Sequence, residues 1–132
     1  MLILALLLMQ PVAAPAQPAI VATASGLRFQ VLRPGAGRRP RPGDAVQVTY
    51  EARLADGTLV DSTPQPVGLA VEGLIPGFAE ALLLMNQGGE YRFWVPPALG
   101  YAGQGVRDVV PRNAELVFTL TLIRVGRPAA HR

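Results

Sequence analysis

The sequence predicts an α+β domain in which a curved antiparallel sheet of about five strands is covered by one short helix. Three observations carry that prediction. Several segments alternate apolar and polar side chains with a period of two, one stretch has helical spacing, and 132 residues make one domain's worth of chain.

The first strand begins at Leu27, where Leu27, Phe29 and Val31 oppose Arg28, Gln30 and Leu32, and it breaks at Gly35, Gly37, Pro40, Pro42 and Gly43. Residues 45–54 give the cleanest alternation, with Val46, Val48, Tyr50, Ala52 and Leu54 on one face and Gln47, Thr49, Glu51 and Arg53 on the other. Asp56-Gly57 supplies the positive-φ residues of a tight hairpin, and Thr58, Leu59 and Val60 return as its second arm. After Pro64 and Pro66, residues 67–71 form another short apolar run.

The period then changes. Phe78, Ala81, Leu82 and Met85 recur at helical spacing, and Asn86, Gly88 and Gly89 supply a stop, which predicts two to three turns of helix. Tyr91, Phe93 and Val95 alternate with Glu90, Arg92 and Trp94 up to Pro96 and Pro97. A Gly-rich loop occupies residues 98–111, and Leu116, Phe118, Leu120 and Leu122 form the inward face of a last strand. One helix cannot cover the whole sheet, so an apolar hollow is expected beyond its reach.

Residues 2–9 are all Leu, Ile, Ala or Met, a block too short to span a bilayer and read as the core of a secretory signal. Ala14-Pro15-Ala16 and Ala22-Thr23-Ala24 both offer a small-residue cleavage pattern, although no Lys or Arg precedes the block. The other reading is a disordered or packed apolar N-terminus. The division expected is a signal peptide and linker at 1–24, a domain at 25–126 and a tail at 127–132. Export to the bacterial periplasm follows from the first reading, with no stable membrane insertion. Without a long N-terminal helical arm, the expected state is a monomer.

Composition narrows the chemistry. Cysteine is absent, so there is no disulfide, thiolate nucleophile, Cys-based zinc site or cysteine-linked lipid anchor, and the lone His131 falls in the tail. Gly35 to Gly43 is interleaved with Arg and Pro and precedes a strand, unlike a phosphate loop. Ser25 and Ser62 are the only serines, neither in a nucleophile elbow, and the carboxylates show no paired motif. All 12 basic residues are Arg. Arg28, Arg33, Arg38, Arg39 and Arg41 lie close together, as a solvated loop or as a positive surface for phosphate or anionic lipid. No aromatic residue interleaves with Arg38, Arg39 and Arg41, so a stacking platform for nucleic acid is not indicated.

What remains is a set of aromatic and branched residues around a few polar groups. Tyr50, the Asp56-Gly57 turn, Val60-Asp61-Ser62, Leu74-Ile75-Pro76-Gly77-Phe78, Pro97-Ala98-Leu99-Gly100-Tyr101 and the run from Val109 to Phe118 stand in one order across about a hundred residues. Together they resemble an FKBP-type peptidyl-prolyl cis-trans isomerase. The resemblance implies a curved five- to six-stranded antiparallel sheet wrapped around one short helix, with a pocket between them. It implies a catalytic set of Tyr50, Asp61, Ile75, Phe78, Tyr101 and Phe118, with Phe78 as the floor and the Ile75 N–H and Tyr101 hydroxyl placed to hold a bound carbonyl. Val60, Val67, Leu74, Val106, Val109 and Val110 are implied to bind substrate.

Proline-containing unfolded or folding polypeptides are the implied partners and macrolide inhibitors the implied ligands, with no cofactor, metal or nucleic acid. Val60 and Val67 stand where the family usually has aromatic residues, which widens the pocket and points to reduced activity. A second reading therefore keeps the fold without the enzyme, as a peptide-binding chaperone or interaction module. A third takes Arg38 to Arg41 as a contact for anionic lipid or nucleic acid.

Overall fold

The computed structural model describes residues 18–101, 105 and 110–126. The leader block, Val106, Val109 and the tail with His131 lie outside the described residues. The strands are β1 (Ile20–Ala22), β2 (Arg28–Arg33), β3 (Ala45–Leu54), β4 (Leu59–Ser62), β5 (Val67–Ala70), β6 (Glu90–Val95) and β7 (Leu116–Gly126). One α-helix, α1 (Pro76–Leu84), and two 3₁₀ turns, Val71–Gly73 and Pro97–Leu99, complete the described elements. Among the described residues no helix is long and apolar enough to cross a membrane.

All pairings are antiparallel, in the order β1-β2-β6-β7-β3-β4, with β5 also paired to β3. The two longest strands, β3 and β7, pair from Ala45↔Gly126 to Leu54↔Leu116 and form the centre. Alternation along each strand then sets one face. Phe29, Phe93, Phe118, Ala52 and Asp61 lie in a single cross-sheet row, and Tyr91, Leu120 and Tyr50 in the next. Leu27, Val48, Leu82, Met85, Phe93, Val95, Leu120 and Leu122 are fully buried between this face and the helix.

Local chemistry explains the boundaries. Gly57 adopts φ +95°, and the Asp56 side chain accepts from the Thr58 N–H at 2.9 Å, closing the β3–β4 hairpin as expected. Pro76 starts α1, where the absent N–H costs no intrahelical bond, and the Gly77, Phe78, Ala81 and Leu82 face is buried. Gly77 is a close approach of helix to sheet, because a Cβ there would meet Val95 Cγ1 at 2.5 Å.

The fold class is as the sequence predicts, and among the described residues the sheet has seven strands against the five to six expected. Its edge is split, with β4 and β5 both paired to β3 where the sequence places the hairpin arm and the apolar run at 67–71. The added strand is β1, inside the stretch read as leader and linker. It also buries Gln30, which alternation puts on a polar face. Gln30 is only 7% exposed, and its amide donates to the Pro18 carbonyl at 2.9 Å.

Candidate active site

The expected hollow is present. A cavity of about 520 Å³ opens between the start of α1, the split edge of the sheet and the loop carrying Tyr101. Nine of the residues singled out by sequence line it: Tyr50, Val60, Asp61, Leu74, Ile75, Phe78, Tyr101, Val110 and Phe118.

Three aromatic rings form its base. Phe78 from α1 meets Tyr50 from β3 edge-on at 5.3 Å and 84°, and Phe118 from β7 at 5.2 Å and 81°. Tyr50 and Phe118 are 6.1 Å apart, so each ring touches both others. Edge-to-face contact adds to simple burial and fixes each ring's orientation. Phe78 and Phe118 are nearly buried, while Tyr101, at 39% exposed, stands at the mouth.

Polar groups in the cavity are few. The Tyr50 hydroxyl donates to Asp61 Oδ2 at 2.8 Å. Partial burial, reinforced by that bond and the adjacent carboxylate, pushes the Tyr50 phenol up to about 12. Among the described residues that line the cavity, Asp61 alone is charged. The Ile75 N–H, just before the first turn of α1, bonds to no described residue, while the Ile75 carbonyl takes the Ala79 N–H. The Tyr101 loop is tied back by the Gly105 N–H donating to the Tyr101 carbonyl at 3.1 Å.

Val67 is not among the lining residues. It packs against the core from β5, and Leu69, two residues along on the same face, lines the cavity instead. Ala52, Leu69, Gly73 and Leu116 also line it and were not singled out by sequence. Ala52 and Leu116 share the inward faces of Tyr50 and Phe118, so alternation alone could have found them. Gly73 has no side chain to signal a role.

The arginine cluster spends much of its charge within the molecule. Arg28 pairs with Glu115 at 3.0 Å, Arg33 with Glu90 at 3.8 Å and Arg38 with Asp44 at 3.1 Å. That weakens the reading of this segment as a surface for anionic partners.

An apolar cup floored by three rings, lined by the phenols of Tyr50 and Tyr101 and by an amide that bonds to no described residue, suits a ligand that is mostly apolar and carries a carbonyl. Known proteins agree with this geometry. The sequence profile of the FKBP-type peptidyl-prolyl cis-trans isomerases matches residues 36–123. The probable FKBP-type isomerase FkpA of Neisseria meningitidis is 40% identical over 116 residues, covering 86% of this chain and 43% of that protein. The isomerase Mip of Coxiella burnetii is 38% identical over 114 residues, covering 84% of this chain and 50% of that one. The chain thus spans about half the length of the curated relatives it matches. A crystal structure of a peptidyl-prolyl cis-trans isomerase from Pseudomonas syringae superposes with a TM-score of 0.81 at 32% identity, over 85% of this chain and 84% of that one. Fold, cavity and sequence converge, and the chain belongs to the family of FKBP-type peptidyl-prolyl cis-trans isomerases.

Proposed function

We propose that this chain is a peptidyl-prolyl cis-trans isomerase that acts on exported, folding polypeptides. The observation that carries the proposal is the open cup floored by Tyr50, Phe78 and Phe118, with the Tyr101 side chain at its mouth and an Ile75 N–H that bonds to no described residue.

Rotation about an X–Pro bond is opposed by amide resonance, with a barrier of about 18–20 kcal/mol. The half-rotated imide has lost that resonance and its charge separation, so an apolar surface favours it over the planar ground state. A proline ring resting on Phe78 is held by the edges of Tyr50 and Phe118. The Ile75 N–H and the Tyr101 hydroxyl then hold the carbonyl side, so that contacts tighten as the bond twists. The Asp61–Tyr50 hydrogen bond keeps the phenol facing inward. No bond to the protein is made or broken. Each factor of ten in rate requires about 1.4 kcal/mol of such preference. Val60, Leu74 and Val110 give the residue before proline an apolar seat.

Relaxation of a cis-enriched apolar-X–Pro peptide, followed with and without the protein, tests this reading. Acceleration in proportion to protein concentration, blocked by a macrolide ligand, is the expected result. Peptide binding with no acceleration would instead assign the non-catalytic chaperone role.

Export to the periplasm rests on the apolar block at residues 2–9 and the small-residue patterns behind it. Of the two cleavage patterns, Ala14-Pro15-Ala16 leaves β1 in the mature chain, whereas a cut after Ala22-Thr23-Ala24 would remove it along with the Pro18 carbonyl that holds Gln30. N-terminal sequencing of the secreted protein is expected to begin upstream of Ile20. A start at Ser25 would contradict this.

A further inference from the structure

β3 changes its edge partner close to Tyr50. Residues Ala45 to Val48 pair with β5 and Glu51 to Arg53 pair with β4. Tyr50 therefore lies opposite the connection between those strands, where its outward N–H and C=O have no ladder. Buried or half-buried backbone groups left without partners are costly. Thr63 supplies both partners. Its N–H donates to the Tyr50 carbonyl at 3.0 Å, and its Oγ1 accepts from the Tyr50 N–H at 2.9 Å. The same hydroxyl donates to the Tyr50 carbonyl at 3.4 Å.

The next residues cannot replace it. Pro64 and Pro66 have no N–H to donate, and their fixed φ holds the strap in one course. Two positions earlier on the same segment, Asp61 accepts from the Tyr50 hydroxyl. One short stretch of chain thus grips Tyr50 twice, by its backbone through Thr63 and by its phenol through Asp61.

We infer that Thr63 is a positioning residue for the site, its hydroxyl fixing the backbone of Tyr50 so that the ring meets Phe78 and the phenol meets Asp61. The inference rests on the proposed isomerase reading for its functional consequence, while its structural part can be tested separately.

Thr63→Val keeps the shape and the backbone N–H but removes the hydroxyl, and Thr63→Ser restores it. Two readouts follow. In the isomerisation assay, Thr63→Val is expected to lower kcat/KM five- to tenfold, chiefly through kcat, with Thr63→Ser within about twofold of the parent. In protein labelled with 3-fluorotyrosine, ¹⁹F NMR follows each phenol's titration in a range lowered by the fluorine. Among the described residues, the ionisable groups facing the Tyr50 phenol are Asp61 on β4 and Tyr101 on its loop, while α1 and β7 present Phe78 and Phe118. Thr63→Val is expected to move the Tyr50 resonance's titration toward the ordinary tyrosine range, and Thr63→Ser to leave it in place.

Unchanged titration in Thr63→Val, or Thr63→Ser behaving as Val, would overturn the inference. Should Thr63→Val not fold, Thr63→Ser and amide exchange in the parent protein decide. A Tyr50 amide that exchanges as fast as a loop amide contradicts the bond to Thr63. An inactive parent protein would remove the isomerase reading and leave the titration to judge Thr63.

Discussion

Two clusters of three aromatic rings lie on the same face of the sheet and differ in nearly everything else. Phe29, Tyr91 and Phe93, on β2 and β6, sit with ring planes 13° to 35° apart and centroids 5.8 to 6.1 Å apart. Tyr50, Phe78 and Phe118 meet at 57° to 84°, and one of them comes from the helix. Phe93 and Phe118 are cross-strand neighbours, so the clusters adjoin. The first packs into the core, with Tyr91 and Phe93 buried and Phe29 half-buried, and the second floors an open cavity. Residue type does not separate them. Position does: α1 lies against β6 at Gly77, and the opening falls toward the edge that β4 and β5 share unevenly.

If that contrast is right, damage to the two clusters should appear in different measurements. The largest effect belongs to the closed one. Phe93→Ala is expected to cost about 3–5 kcal/mol of stability in urea titrations, because the wholly buried ring leaves a cavity its neighbours cannot fill. Activity per folded molecule should stay within about twofold. At the open cluster the balance reverses. Tyr101→Phe and Asp61→Asn should each lower kcat/KM by about tenfold, equivalent to about 1.4 kcal/mol, with Tyr101→Phe changing stability by less than about 0.5 kcal/mol. A large loss of stability in Tyr101→Phe would make that residue part of the scaffold.

Beyond the closed cluster, Gln30→Met removes the amide held by the Pro18 carbonyl and should cost about 0.5–1.5 kcal/mol with activity retained. The smallest effect at neutral pH becomes visible only in alkali. The folded-state value of Tyr50, about 12, lies above its ordinary 10.0. The protonated phenol therefore contributes stability fully below pH 10 and loses that contribution as the pH rises toward 12. Tyr50→Phe should lack this component of the alkaline decline, as compared by denaturation at several pH values.

The contrast also marks how far the sequence could be read. Period-two alternation located β2, β3, β6 and β7, and the Asp56-Gly57 turn located the hairpin, because each is a local consequence of which side chains face the core. The Phe78 to Met85 spacing located the helix for the same reason. β1 was not legible. Its three residues are all exposed, so no alternation marks it, and it lies in an Ala- and Pro-rich stretch that also fits a leader. The substitution of Leu69 for Val67 in the cavity and the grip of Thr63 on Tyr50 depend on where two short strands divide one edge, a tertiary property with no local pattern. Of the twelve residues named through the motif order, nine line one cavity, Val67 does not, and Val106 and Val109 lie outside the described residues.

The most direct measurement is NMR exchange spectroscopy of an apolar-X–Pro peptide with a small proportion of this protein. The account predicts cis–trans exchange cross-peaks that are absent from the peptide alone, with protein shift changes centred on Tyr50, Phe78 and Phe118. Exchange no faster than that of the free peptide, or shift changes confined to residues outside the cavity, would contradict it.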